Sequence, residues 1–405
     1  MNSIERTINV IRDVLLHILL FLTAISYHPT IMRMSRYAGY ENGTILSRYI
    51  VLLFLVVFFL SFRFNTIRSC KLVRTYLVWF AIIAITALIV QTLYRNRMMV
   101  FELRTFMIVF GSIMIGYNLR MDKRKFSILI LVFSVTTLFS GLMQVLMNNG
   151  GFRIASQYIT DSKNSLGAML ATSCFALFYL SRIWTRRLDR IIALVLVFLS
   201  LVVLVTIRAR MAFVTLVLVS FYYFYLIKRS RNILISVVVI AAIGFLAIVF
   251  MPGFILDYLG ASFTAGSQGE DFTSGRLYTY AEAIAIFIQS PFLGNVQRMY
   301  HIGWVHNFPL LKLYDYGLLY SWPILTLYFI ILIKTIRRSL HLPALERECF
   351  GYVCLLIPFV ISMAEPTFPF GPGTVTLVNF ILLGCSEKGR IANSKSSAGS
   401  QSLMC

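Results

Sequence analysis

The sequence predicts an all-α polytopic membrane protein of about twelve transmembrane helices, with one long outward loop before the tenth. Three observations predict it. Of 405 residues, 59% are hydrophobic and only 13% are charged, and the mean hydropathy is +0.80, far from the balance of a water-soluble domain. The apolar residues fall in blocks of about 17–25, the length of helix that crosses a bilayer core. Those blocks are uniformly apolar, whereas the strands of a membrane barrel alternate polar and apolar. Helix is the other backbone form that satisfies its own hydrogen bonds in lipid.

Taken in order, the expected spans are Val14–Tyr27, Ile45–Phe62, Leu72–Tyr94, Met98–Asn118, Phe126–Met147 and Asn164–Trp184. Then come Ile191–Thr206, Met211–Ile227, Ile233–Phe250, Pro309–Ile333, Phe350–Ala364 and Thr374–Cys385. The first lacks a small-x-small cleavage site, so it reads as a retained helix rather than a signal peptide. The whole of 1–405 forms a single membrane domain with no internal repeat. Its tail, 386–405, is polar and Ser-rich and is expected to be disordered.

The formal charge of +21 is a topology signal. Basic residues concentrate in alternate connections: Arg63, Arg68, Lys71 and Arg74; Arg120, Lys123, Arg124 and Lys125; Arg182, Arg186, Arg187 and Arg190; Lys228, Arg229 and Arg231; Lys334, Arg337, Arg338 and Arg347. By the positive-inside rule these connections and both termini face the cytoplasm. Charge distributed this way gives no nucleic-acid site. The six cysteines fall in expected spans or on that inner side, so no disulfide framework is expected. Cys349 and Cys354 are not at zinc spacing, and no metal site is expected.

One connection is long, residues 251–308, and by the topology it faces outward. Long connections with their own pattern usually carry function. It begins Gly/Ser-rich and acidic, "AGSQGEDFTSG". In "RLYTYAEAIAIFIQSPFLG" the residues Leu277, Tyr280, Ala281, Ile284, Phe287 and Ile288 stand at helical spacing, and Pro291 and Gly294 stop the helix. This reads as an amphipathic helix at the outer interface. A second polar outward stretch, "NNGGFRIASQYITDSKNS", precedes the sixth span.

Candidate chemistry collects on the outward side. His306 and Asn307 stand just before the tenth span, where both can meet substrate; the plain alternative for Asn307 is a helix N-cap. Lys312 and Asp315 are three residues apart and share a helix face. Ionisable residues in a membrane helix are functional candidates, the alternative being a structural ion pair. Gly317 allows another helix to approach closely. Outward arginines are Arg153, Arg208, Arg210, Arg276 and Arg298. Arginine binds phosphate and diphosphate through paired N–H groups; its alternative here is snorkelling to headgroups. "TIRARMAF" sets Arg208 and Arg210 between two apolar helices with almost no loop. Arg104 and Glu102, inside the fourth span, are weaker candidates and do not face each other. The outward carboxylates are Asp161, Asp257, Glu270, Asp271, Glu282 and Glu365. A general base for a sugar hydroxyl can come from these or from His306.

The C-terminal half resembles the O-antigen polymerase and ligase superfamily. His306-Asn307, "FPLLKLYDY", then Gly317-Leu318-Leu319-Tyr320 is similar to that family's His-Asn, nine residues, Gly signature. "SGRLYTYAEAIAIFIQSPFLGN" resembles its Ser-x-Arg, amphipathic helix, Pro-x-x-Gly run, with Arg276, Pro291 and Gly294 in the matching places. "RARMAFVTLV" resembles its Ser-Arg-Gly-Ala segment, with Arg210 at the arginine and Ala209 in place of serine. The N-terminal half matches only as a series of helices.

The resemblance implies a glycosyltransferase of the bacterial inner membrane that takes undecaprenyl-diphosphate-linked glycans, with no cofactor and no metal. Arg210 and Arg276, with Arg208 as second choice, would bind the diphosphate. His306 would orient or deprotonate the acceptor, Asn307 would position it, and Asp315 would steady the group. Membrane lipid, a chain-length regulator and a flippase would be its partners. Neither Arg153 nor Arg276 is followed by Gly after ten residues, so the two-loop capture scheme of some polymerases is not expected. Polymerisation of repeat units is the favoured reaction. Ligation to lipid A core is the alternative, and a lipid-linked sugar flippase or other twelve-span transporter is the alternative of another class.

Overall fold

The computed structural model describes residues 3–31, 45–119, 122–147, 160–207, 209–228, 276–297, 300, 305–371 and 375–388. Among these residues every regular element is a helix. In order they are α1 (Ser3–Ile25), α2 (Ile45–Ser61), α3 (Phe64–Ser69), α4 (Lys71–Tyr94), α5 (Met98–Asn118), α6 (Lys123–Met147) and α7 (Thr160–Ile183). They continue with α8 (Arg187–Thr206), α9 (Arg210–Lys228), α10 (Arg276–Gln289), α11 (Phe308–His341), α12 (Arg347–Ile361) and α13 (377–388).

Eight of the described helices are long and apolar enough to cross a membrane: α1, α4, α5, α6, α7, α8, α9 and α11. Helices α2, α12 and α13 occupy three further expected spans but are shorter. The expected ninth span, Ile233–Phe250, and most of the long connection lie outside the described residues. The first helix starts earlier than expected, at Ser3. Arg12 and Asp13 lower the hydropathy there, but the structure buries Arg12 to 1% exposure and pairs the two side chains at 2.7 Å. The last expected span also extends further than its expected end at Cys385. The last helix runs to 388, with Ser386 and Glu387 fully packed.

Helices α7, α12 and α13 form the buried centre. Small residues let backbones meet there. A Cβ on Gly116 would collide with the Ile381 carbonyl, and one on Gly384 with that of Ile113, so α5 and α13 cross in direct backbone contact. Asn379 of α13 donates to the Cys354 carbonyl at 2.9 Å and thereby holds α12. Phe350 stacks on Phe175 and Tyr179, locking α12 to α7. The outer helices turn large apolar side chains outward: Phe59, Leu93, Phe101 and Phe198 are each at least 65% exposed. Such a surface suits hydrocarbon and is disfavoured in water.

The two ends of the bundle differ. At one end Lys125 pairs with Asp13 at 2.9 Å and Arg63 with Glu5 at 3.4 Å. There too Lys334 meets buried Glu387 at 3.0 Å, and Lys388 donates to the Leu119 carbonyl at 2.8 Å. The first and last described helices therefore share this basic end. The opposite end holds the tip of α4, the starts of α5, α7 and α9, and the entry to α11.

Candidate functional site

The entry to α11 is built from the chain outward. Asn307 has extended backbone, and its side-chain oxygen accepts from the Leu310 amide at 2.9 Å. It is the N-cap that its residue type permits. Its amide group also donates to the Met363 carbonyl at 3.0 Å. The cap thus fixes α11 to the segment after α12 and, with it, the neighbouring His306. The His306 side chain is one-third exposed, and its Nδ1 lies 3.8 Å from Oε2 of Glu365. Glu365 is 8% exposed, and its other oxygen accepts from Asn164 Nδ2 at 2.8 Å. The imidazole is partly exposed, and its Nδ1 faces the buried carboxylate, the geometry of a candidate general base.

Two further segments reach this point. Tyr280, one turn into α10, donates its hydroxyl to the His306 carbonyl at 2.5 Å. Ala283, Ile286, Val305 and Tyr314 close a small apolar core beneath that contact. Arg276 is the first residue of α10, one turn before Tyr280. On the other side, Gly167 of α7 is packed against Ala209 so closely that a Cβ on Gly167 would strike it. Asn164 lies three residues earlier on α7 and faces Glu365. Arg210 follows Ala209 and opens α9. The structure therefore brings the segments of His306, Arg276 and Arg210 to one end of the bundle. Arg208 lies outside the described residues.

Below the entry, α11 is broken. Gly317 has φ +59° and ψ −174°, a conformation that glycine adopts without penalty and other residues avoid. The backbone groups released by the break are taken up by the turn after α10. The Leu318 amide donates to the Pro291 carbonyl at 2.8 Å, and that of Leu319 to Phe292 at 2.9 Å. The Asn295 amide donates to the Tyr314 carbonyl at 2.7 Å. Gly294, φ +58°, sits against Gly317, and a Cβ on either would enter the backbone of the other strand of chain. Gly317 does permit a close approach, but the partner is this turn rather than another helix. Asn295 secures the turn: its side chain donates to the Tyr300 carbonyl and the Tyr314 hydroxyl and accepts from the Tyr300 amide.

Lys312 points to α5. Its ammonium group is 2.5 Å from Glu102, which also accepts from the Tyr316 hydroxyl at 3.1 Å, and it lies over the rings of Phe308 and Tyr316. The partner of Lys312 shown by the geometry is Glu102, on another helix. Asp315 is half-buried on the same upper part of α11. Glu365, Asn164 and Tyr280 were not separable from their neighbours in sequence: each acts across a contact between elements distant in the chain. Among the described residues no cluster of three or more His, Cys, Asp or Glu stands where it can hold a metal ion. No protein-family model matches this chain, and no curated protein is found similar to it.

Proposed function

We propose that this protein is a membrane glycosyltransferase that joins glycans carried on a lipid diphosphate, and that it polymerises oligosaccharide repeat units. The observation that carries the reading is the meeting of three segments at one end of the bundle, one with His306 beside Glu365 and two opening on arginines. In this reading His306 takes the proton of an acceptor hydroxyl, and Glu365 stabilises the imidazolium that results. The hydroxyl oxygen bonds to the anomeric carbon of the donor. The bond from that carbon to the diphosphate breaks, and the lipid diphosphate leaves with the electron pair. Arg210 and Arg276 balance its charge, as preorganised cations do for developing anions. Asn307 acts by fixing the entry to α11, and Asp315 by steadying its upper segment.

The chain would then lie in a bacterial inner membrane with both termini in the cytoplasm and the site outside, as the distribution of basic residues suggests. The test is the surface polysaccharide of a strain deleted for this chain and complemented with wild type or with His306→Ala. Loss of the polymer ladder, leaving core with a single repeat unit, restored by wild type alone, is the expected result. Loss of all glycan-bearing core, with polymer accumulating on the lipid carrier, would move the assignment to ligation. An unchanged ladder would overturn it for that polysaccharide.

A further inference from the structure

Helices α8 and α9 share a neighbour but hardly touch. Both pack along α7 and make little contact with each other. They are joined at the end of the bundle that holds His306, where residues 207–209 connect them and Ala209 and Ala212 lie against Gly167. Away from that joint they part, and the space between them is a cavity of about 290 Å³. Its lining includes Cys174 and Phe178 of α7, Val197 and Leu201 of α8, and Leu216 and Phe224 of α9; Ser220 supplies the one hydroxyl. Phe224 is 37% exposed, so the cavity opens on the surface of the bundle. At 1.5 Å per residue, Phe224 stands about 6 Å and Leu216 about 18 Å from Lys228, the last residue of α9. The cavity thus runs through roughly the depth of one leaflet, half of a hydrocarbon core about 30 Å thick.

The basic end below this cavity carries a separate feature. Arg186 is the N-cap of α8, Arg187 is its first residue, and Lys228 closes α9. All three are exposed, and none pairs with a carboxylate among the described residues. Arg186 makes no capping bond, so the first amides of α8 add their partial positive charge to the three side chains. Asp189 is the one acid in that first turn, and Arg190 is committed to the Trp184 carbonyl at 2.5 Å. The positive-inside rule accounts for basic residues at this end, but not for the apolar cavity that runs up from them. Basic pockets between transmembrane helices are where anionic headgroups bind.

We infer that the wedge between α8 and α9 is a binding site for an anionic phospholipid from the leaflet at the basic end. One acyl chain fills the cavity, and Arg186, Arg187 and Lys228 hold the headgroup phosphate. Charge sets the choice of lipid, since an apolar wedge alone accepts the chain of any. The site requires only that the bundle lies in a membrane, and it is independent of the chemistry proposed for His306.

Full-length protein in phosphatidylcholine nanodiscs receives a trace of phosphatidylglycerol that carries a photoreactive diazirine near the end of one acyl chain, and labelled peptides are mapped. Label should appear on the segments of α8 and α9 that hold Leu201 and Leu216. Unlabelled phosphatidylglycerol should suppress it, and the same probe built on phosphatidylcholine should label at least tenfold less. The double variant Arg186→Gln, Arg187→Gln should lower labelling at least tenfold. Ser220→Trp, which fills the cavity, should abolish it in a protein of unchanged helix content. Equal labelling by the two probes would make the wedge ordinary bilayer contact and overturn the site. Labelling that both variants leave intact would overturn it as well. Absence of label from the wedge in wild type would show it covered by protein, whether by this chain or a second copy, and would overturn it too.

Discussion

At the scale of single residues, the proposed chemistry rests on His306 beside Glu365. General base catalysis contributes about 100- to 10,000-fold, so His306→Ala should reduce transfer by that order while the protein still accumulates in the membrane. Glu365→Gln keeps the shape and the Asn164 contact but removes the charge facing the imidazole. It should lower kcat at least about tenfold and leave donor binding in place. Transfer assayed with purified lipid-linked substrate checks both, and a Glu365→Gln enzyme of normal kcat would remove Glu365 from the mechanism. His306 and Asn307 were legible in the sequence, because a polar pair before an apolar run has few roles. Asn307 holds the cap, the plain alternative that its residue type offered. Glu365 stood among six outward carboxylates, and only the packing of the segment after α12 against α7 sets it apart. Lys312 was legible as a charge needing a partner, but that partner is on α5, more than two hundred residues earlier in the chain. Removing one member of a fully buried pair costs about 3–5 kcal/mol, whereas replacing both by apolar groups of similar size is often neutral. Lys312 is buried but the Glu102 side chain is 26% exposed, so Lys312→Met should lower Tm by less than that full cost, and adding Glu102→Leu should recover most of the loss. A double variant no better than the single would refute the pairing.

At the scale of elements, the unit formed by α10, its turn and α11 decides where the site residues stand. The sequence made α10 visible through its spacing and its Pro-x-x-Gly stop, and among the described residues the helix runs from Arg276 and ends before Pro291, where that pattern suggested. Its apolar stripe divides. Tyr280 and Phe287 turn toward the protein with Ala283 and Ile286, while Ile284 and Ile288 face outward at 45% and 68% exposure. A helix held on one face and apolar on the other suits the membrane interface. The break at Gly317 was not legible as a break, since hydropathy continues through it. The hydrogen bonds that repair it come from outside the helix, where no window along the sequence can find them. If those bonds hold α11 in its broken form, the amides of Leu318 and Leu319 should exchange slowly with deuterium in wild type. Gly294→Ala, which drives a methyl group into the facing backbone, should speed their exchange and lower Tm. Slow exchange in that variant would show that the turn is not what protects them.

Across the whole molecule, the reading of a helical membrane protein from composition holds, and the spans it proposed coincide with helices wherever residues are described. Eight described helices are long and apolar enough to span. Of the other expected spans, α2 has 17 residues, α12 and α13 are short and almost wholly buried, where neighbouring helices surround them, and Ile233–Phe250 lies outside the described residues. The charge asymmetry between the two ends was fully legible, and it yields a test of orientation. The five described cysteines are all buried, and with the sixth removed as Cys405→Ser, introduced cysteines report cleanly. Asp122→Cys and Thr185→Cys, at the basic end, should react with an impermeant maleimide only in opened cells. Thr30→Cys, at the other end, should react in intact spheroplasts. The reverse pattern would place His306 inside and remove the proposed chemistry.

The meeting of Gly294 and Gly317 has a consequence for how this chain can vary. Between Asn307 and Gly317 the chain is helical and held at both ends, by the Asn307 cap and by the contact of Gly317 with Gly294. Adding or deleting a residue there would rotate every side chain after it, moving Lys312 off Glu102 or Gly317 off the turn. Connections between helices elsewhere absorb such changes by bulging. Length variation should therefore be rejected between Asn307 and Gly317, and a scan of single-residue insertions would draw that outline.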